Sequence, residues 1–147
     1  MSNVRIVLDS TVLISRFLTP ISGGAAFDLL EQVRSGACDA FASLDILEEV
    51  RCVLLRSRIR RRYKFDDHDV ERYSLELMQI ATVLDPERTV RVVRDRNDDM
   101  VLDCAVAAEA AYVITRDNDL LSLASYEGVQ IVKPEELLEI LRRRKKT

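Results

Sequence analysis

The stretch VRIVLDSTVLIS, residues 4–15, joins a short apolar run to an acid, two hydroxyl residues and a second apolar run. Residues 4–8 are mostly apolar and rich in β-branched side chains, which is typical of a parallel strand covered on both faces. Residues 11–18 then have helical spacing and precede the turn residues of TPISGG. Asp9 therefore lies at the carboxyl end of a buried strand, directly before a helix.

The same unit of strand and helix recurs along the chain. Further strands are predicted at 38–43, 111–115 and 129–132, with weaker strand signals at 82–86 and 89–93. Further helices are predicted at 25–34, at 44–57 with Ser43 as cap, at 67–81 with Asp66 or Asp67 as cap, at 100–110, and from Pro134 onward. Strands alternating with helices predict a three-layer α/β/α sandwich with a central, mostly parallel sheet.

Composition limits the class of protein. The chain has 147 residues, of which 48% are hydrophobic and 32% charged, as in an ordinary globular protein. Without repeats or a linker, residues 1–147 are expected to form one domain, with 142–147 as a basic, frayed tail. No apolar run approaches the roughly 20 residues of a membrane span, and the first residues lack the pattern of a secretory signal.

The cysteines indicate a reducing compartment. Cys38, Cys52 and Cys104 are odd in number and form no CxxC pair, so reduced thiols in a cytoplasmic protein are expected. The single histidine, His68, lies far from all three in the sequence, so a structural zinc site is not expected.

Acids follow two of the predicted strands. Asp9 ends the first and Asp117 follows the strand at 111–115, and in open α/β sheets the ligand site lies outside the carboxyl ends of the strands. Glu49 and Asp99 are positioned on helices so that they can join them. Clustered carboxylates repel one another unless a cation neutralises them. An all-oxygen set favours one or two Mg²⁺ or Mn²⁺ ions, and the chemistry typical of such ions is phosphodiester hydrolysis.

Four segments carry a resemblance to a known family: VLDSTVLIS at 7–15, SLDILEEV at 43–50, RDRNDDMVLDCAVAAEAAYVITRD at 94–117 and NDLLSL at 118–123. In this order and at these separations they resemble the PIN-domain nucleases, most closely the PIN proteins described as toxins of prokaryotic toxin–antitoxin systems. The resemblance extends from Val4 to about Leu141 and implies a PIN-like fold. It also implies Mg²⁺- or Mn²⁺-dependent cleavage of single-stranded RNA and an antitoxin partner that blocks the site.

The resemblance assigns the family's four acids to Asp9, Glu49, Asp99 and Asp117, as catalytic residues and metal ligands. Together with the apolar helix faces, it suggests a homodimer. One position departs from the family pattern, because Thr11 stands where Asn is usual. A catalytically weakened PIN-like module that binds nucleic acid or protein is therefore the alternative function.

Neighbouring hydroxyl residues are expected to support the site. Ser10 and Thr11 are expected to orient Asp9, and Thr115 is expected to place its hydroxyl near the acids. A phosphatase of the haloacid-dehalogenase type is disfavoured, since it needs a second Asp where Thr11 stands.

The assignments of Asp9 and Glu49 as site residues each have an alternative. Asp9 is also a plausible helix cap. Glu49 competes with Glu48, because one residue step turns a helical side chain by about 100°; Glu49 is preferred because it lies nearer the apolar stripe.

The acids further along the chain also have alternatives. Asp99 could cap its helix, with Asp98 or Asn97 as the true ligand or cap. Asp119 is expected to cap the next short helix, the alternative being contact with a second metal ion.

Six basic residues fall in the nine-residue segment RSRIRRRYK, residues 56–64, and five more in the tail RRRKK, residues 142–146. A solvated loop or helix end is the usual explanation of such a run. The predicted function is RNA binding, because cations hold phosphates and Tyr63 is available for stacking; an acidic antitoxin segment is a second possibility. The positions predicted to bind RNA are Arg58, Arg60, Arg61, Arg62 and Lys64.

Overall fold

The computed structural model describes residues 3–19, 23–87 and 96–145, with the backbone alone for 96 and 97. The strands are β1 (Val4–Leu8), β2 (Cys38–Ser43), β3 (Ala81–Leu84), β4 (Tyr112–Ile114), β5 (Ser125–Tyr126) and β6 (Val129–Val132). The helices are α1 (Ser10–Leu18), α2 (Ala25–Arg34), α3 (Leu44–Leu54), α4 (Ser57–Tyr63), α5 (Asp67–Ile80), α6 (Arg96–Ala107), α7 (Asn118–Leu123) and α8 (Pro134–Lys145).

The strands form one sheet in the order β3-β2-β1-β4-β6-β5. All neighbouring pairs are parallel except β5 with β6, which are antiparallel. Helices flank this sheet, so the predicted α/β/α sandwich is confirmed. The chain moves to one side of β1 through β2 and β3 and then crosses to β4 on the other side, which creates a topological switch point between β1 and β4.

Strand β1 lies at the centre of the hydrophobic core. Ile6 and Val7 point to opposite faces of the sheet, and neither is exposed to solvent. Both faces of the sheet are therefore covered, which explains why the strand has an almost continuous apolar sequence.

Side-chain caps define two helix starts as predicted. The Ser43 hydroxyl accepts a hydrogen bond from the backbone N–H of Ile46 at 3.1 Å. Asp66 and Asp69 form a reciprocal capping box at the start of α5. These caps satisfy backbone N–H groups at the starts of α3 and α5.

Three segments differ from the expectation or extend it. The arginine-rich segment forms α4, and Arg56 at its start makes no side-chain cap hydrogen bond, so the sequence carried no start signal. The two-residue strand β5 was not expected. Residues 142–145, expected to fray, continue α8. The strand signal at 82–86 is confirmed as β3, whereas that at 89–93 lies outside the described residues.

All three cysteines are free: Cys38 and Cys104 are buried, and Cys52 is exposed. Burial raises the pKa of the Cys38 thiol to about 11 and that of Cys104 to about 12. Among the described helices, none combines the length and apolar character needed to cross a membrane.

Candidate metal centre

The carboxyl ends of β1 and β4 lie side by side. Leu8 is paired with Ile114, and the backbone N–H of Asp9 donates to the Ile114 carbonyl at 3.0 Å. Asp117 follows three residues after Ile114. The sheet therefore brings Asp9 and Asp117 to the same edge, and the charge of Asp117 contributes to the pKa of Asp9.

The Asp9 carboxylate is buried and held by two hydroxyl groups. Only 2% of the residue is exposed. Its Oδ2 accepts hydrogen bonds from Thr11 Oγ1 and from Thr115 Oγ1, each at 2.7 Å. Although Asp9 stands at the N-cap position of α1, its side chain makes no cap hydrogen bond. The two threonine hydroxyls thus orient the carboxylate without a helix-cap hydrogen bond.

Burial is the main cause that raises the pKa of Asp9 above its ordinary value. The hydrogen bonds from Thr115, Thr11 and the Ser10 backbone lower it, and the nearby charge of Asp117 raises it. Ionised Asp9 is therefore costly in this place without a neutralising cation.

The two threonines also tie β1 to the segment after β4. Thr115 Oγ1 accepts from the backbone N–H of Asp117 at 2.9 Å, and Thr11 Oγ1 accepts from that of Arg116 at 3.1 Å. Each threonine hydroxyl therefore accepts a hydrogen bond from the backbone that follows β4 and donates one to Asp9, at the end of β1. At residue 11, where the family usually has Asn, a Thr hydroxyl thus bridges the two strand ends.

Glu49 faces the same edge from α3. Ser10 Oγ donates to Glu49 Oε2 at 2.8 Å, and Glu49 is partly buried. Glu48 is exposed, lies 3.9 Å from Arg51 and accepts a hydrogen bond from the Cys52 thiol. Of these two neighbours, the structure brings Glu49 to the start of α1, beside Asp9.

A compact group of acids lies where α6 and α7 begin. One carboxylate oxygen from each of Asp98, Asp117 and Asp119 lies within 4.8 Å of the others. Asp98 is buried, Asp117 is partly buried and Asp119 is exposed. Within the described ranges this is the acidic group close enough to hold an ion, and its oxygen-only donors fit Mg²⁺ or Mn²⁺.

Asp99 is also buried, and it is not part of this acidic group. Burial is the main cause that raises the pKa of Tyr126, and the charges of Glu127, Asp103 and Asp99 raise it further. One residue step along α6 turns the side chain by about 100°, which separates the directions of Asp98 and Asp99. Asp98 thus groups with Asp117, and the ligand role of Asp99 stays a prediction.

Helix α7 is capped by Asp117. Its Oδ1 accepts from the backbone N–H of Asp119 at 2.8 Å and of Leu120 at 3.3 Å. The prediction that Asp119 caps this helix is wrong, because the cap is Asp117, two residues earlier, and the helix begins at Asn118. Asp119 instead turns its carboxylate toward Asp98 and Asp117.

Four of the five predicted RNA-binding cations lie on α4, and Lys64 follows as its C-cap. Arg60 pairs with Asp67 at 2.7 Å, and the Arg62 guanidinium lies 5.5 Å from the centre of the Tyr63 ring. Arg58, Arg61 and Lys64 are exposed and make no ion pair with any described residue. Helix α4 and its C-cap therefore carry exposed positive charge that no acid among the described residues neutralises.

Several solved structures share this fold, among them the following three. PAE2754 from Pyrobaculum aerophilum has a TM-score of 0.62 at 18% identity, over 95% of this chain and 90% of that one. VapBC2 from Rickettsia felis, bound to a DNA fragment from its promoter, has a TM-score of 0.60 at 10% identity, over 86% and 96%. VapC20 from Mycobacterium tuberculosis, described as a sarcin–ricin loop cleaving toxin, has a TM-score of 0.54 at 14% identity, over 85% and 98%.

No curated protein matches the sequence. A family model described as PIN domain matches residues 5–119, from the first strand to the acids that begin α7. The matched range includes all the strand-end and helix acids described above and confirms the resemblance seen in the sequence. The chain belongs to the PIN domain family.

Proposed function

We propose that this protein is a divalent-metal-dependent endoribonuclease that hydrolyses phosphodiester bonds in single-stranded RNA. The observation that carries the proposal is the group of Asp98, Asp117 and Asp119 carboxylates within 4.8 Å of one another, at the sheet edge that also bears Asp9. Such a set of oxygen ligands suits one or two Mg²⁺ or Mn²⁺ ions. The activity of the PIN structure described as a sarcin–ricin loop cleaving toxin supports RNA as the substrate.

The proposed ligands follow the sequence-based assignment at Asp9, Glu49 and Asp117. At the third position the geometry supports Asp98, with Asp99 as the alternative, and Asp119 is positioned for a second ion. When bound, a divalent ion supplies polarisation of the phosphate and a water molecule of lowered pKa.

The chain's own hydroxyl groups hold the acids in place. Thr11 and Thr115 both donate to Oδ2 of Asp9, so Oδ1 is the oxygen to which neither threonine donates. Ser10 holds Glu49. Positioning of this kind fixes carboxylates before a ligand arrives, so little reorganisation is needed on binding.

Partners and location are part of the same proposal. A toxin role with an antitoxin partner is supported by the likeness to a structure named VapBC2. Leu75 and Met78 are more than half exposed on α5, which supports a homodimer. Three free cysteines support a cytoplasmic location.

The test is cleavage of a mixed single-stranded RNA in Mg²⁺, Mn²⁺ or EDTA. We expect the wild type to cut with either metal and not in EDTA, and Asp9→Asn to lose at least about 100-fold. Asp39→Asn is the matched control, because Asp39 lies at the opposite, amino end of β2 and accepts a hydrogen bond from Asn3. Cleavage in EDTA, or by Asp9→Asn at the wild-type rate, would contradict the proposal.

A PIN-like binding module without activity is the second candidate, because Thr11 replaces the usual Asn. Calorimetry with Mn²⁺ separates the two if no RNA is cut. Heat of Mn²⁺ binding that Asp9→Asn abolishes indicates a working site that is selective for its RNA. Absence of binding by the wild type indicates the module.

A further inference from the structure

A cavity of about 300 Å³ lies between the end of α1, the end of α4 and the start of α5. Its inner wall is aromatic: the ring centre of Phe17 lies 4.8 Å from that of Phe65 and 5.0 Å from that of Tyr73. The Tyr73 hydroxyl donates to the Leu13 carbonyl at 2.7 Å, which fixes this wall against α1. The cavity thus offers a rigid surface on which a flat ring can stack.

The rim of the cavity is polar. Asp69 and Arg72 line it, with carboxylate and guanidinium 3.8 Å apart, and Tyr63 is 40% exposed at its mouth. A planar ligand with hydrogen-bonding edges satisfies both features, because its faces contact the aromatic wall while its edge reaches the acid and the guanidinium. An aliphatic side chain would use only the aromatic wall.

Exposed cations lie on the helix that carries Tyr63. Tyr63 is the last residue of α4, and Arg58 and Arg61 are exposed on the same helix. Lys64, the C-cap, is also exposed, and none of these three cations makes an ion pair with a described residue. Aromatic platforms beside a cationic row are the arrangement by which proteins hold single-stranded nucleic acid, through stacked bases and neutralised phosphates.

The cavity has a fixed separation from the acids. Helix α1 begins at Ser10, which binds Glu49, and Phe17 on the cavity wall lies seven residues later. Seven residues of α-helix span about 10.5 Å. A strand that is cut at the acids therefore meets the cavity a short, constant distance away.

We propose that this cavity binds one unpaired base of the RNA strand, with Tyr63 stacking on the base and Asp69 and Arg72 reading its edge. The inference rests on the proposed ribonuclease function. It assigns sequence preference to a single position at a set distance from the cleaved bond.

The chain contains no tryptophan, so a reporter can be placed at the mouth. The full chain carrying Asp9→Asn, which prevents cleavage, and Tyr63→Trp is titrated in EDTA with a short single-stranded RNA. The same titration uses a ribose-phosphate strand of equal length without bases. We expect RNA to quench the introduced tryptophan and the abasic strand to leave its emission unchanged.

Affinities of the same two strands complete the test. In the Asp9→Asn background, Tyr63→Ala is expected to weaken RNA binding by about 5- to 150-fold and to leave the abasic strand unaffected, while Tyr63→Phe restores RNA binding. Arg61→Ala is the matched control on the same helix; it lies outside the cavity lining and should weaken both strands alike.

Three outcomes overturn the inference: no tryptophan response to RNA, an equal loss for both strands with Tyr63→Ala, or a response only to an acidic, leucine-rich helical peptide, which would assign the cavity to a protein side chain. Cleavage by the unmodified chain is scored separately. If it cuts RNA in Mn²⁺ while any of these outcomes holds, the ribonuclease proposal stands and the base site alone fails.

Discussion

The carboxyl ends of β1 and β4 present the same local pattern, a strand, an aspartate and a helix, with different results. Asp117 uses Oδ1 to cap α7, whereas Asp9 makes no cap bond and gives Oδ2 to two threonine hydroxyls. The difference arises from tertiary contacts, because Thr115 reaches Asp9 only after β4 has paired with β1.

This contrast separates two kinds of acid. Asp117 caps the helix that follows it, so part of its contribution is to the stability of that helix. Asp9 is almost wholly buried and makes no helix-cap hydrogen bond, and its burial raises its pKa. A buried acid that serves no local structure is a stronger sign of a functional site than an acid that begins a helix.

The largest expected effect is on RNA cleavage, and it tests whether Asp98 or Asp99 acts together with Asp117. Because the Asp98 carboxylate groups with those of Asp117 and Asp119 and Asp99 is not part of that group, Asp98→Asn should lower cleavage by about 100-fold or more and Asp99→Asn by less than about threefold. RNA cleavage rates and Mn²⁺ calorimetry on the pair measure this. The reverse order would return the third acid to Asp99.

The next largest effect is expected on metal affinity and cleavage when the threonine hydroxyls that donate to Asp9 are removed. Thr11→Val and Thr115→Val should each lower Mn²⁺ affinity and cleavage by about 10-fold, as loss of a group that orients a ligand does. Since both hydroxyls donate to Oδ2, the double variant should lose less than the product of the two effects. Thr11→Ser keeps the donor and serves as the control; if it falls as far as Thr11→Val, the hydrogen bond is not the cause.

The dependence of Tm on pH tests whether Asp9 is charged while buried in the folded protein. Because its pKa is raised in the folded protein, ionised Asp9 costs stability above the ordinary carboxyl range, and the cost grows as pH rises through the folded-state pKa. Without metal at neutral pH, Asp9→Asn should have a higher Tm than the wild type, and the difference should shrink as the pH is lowered. Mn²⁺ should raise the Tm of the wild type alone. A lower Tm for Asp9→Asn at neutral pH would argue against a charged, buried Asp9.

The smallest effect concerns the cap of α7. Asn accepts the same backbone N–H groups as Asp, so Asp117→Asn should keep the cap, and Asp117→Ala should be less stable than Asp117→Asn by about 1 kcal/mol. Urea unfolding of both variants without metal measures the difference. Equal stabilities would mean that the cap seen at Asp117 contributes little.

The sequence was sufficient wherever periodicity and strand ends carried the signal. The buried runs before Asp9 and Asp117 defined the carboxyl ends of two neighbouring strands, and the apolar stripe next to Glu49 indicated the more buried of the two neighbouring glutamates. Ser43 and Asp66 began helices as predicted.

The sequence was insufficient where two neighbouring aspartates were both candidates for the same role. Asp98 and Asp99 both precede the apolar part of α6, and the small rotation that separates them depends on how the helix packs. Asp117 and Asp119 are equally good caps by composition. Helix α4 has no capping side chain and no apolar stripe strong enough to announce it.

The unequal burial of the cysteines gives the protein a ready labelling site. Cys52 is exposed on α3, three residues after Glu49, whereas the other two thiols are buried with strongly raised pKa values. Its hydrogen bond to Glu48 raises its own pKa, so mildly alkaline buffer favours the reaction. A maleimide dye should therefore attach at one known position, and energy transfer from it to a labelled RNA would reveal which end of the strand lies along α1.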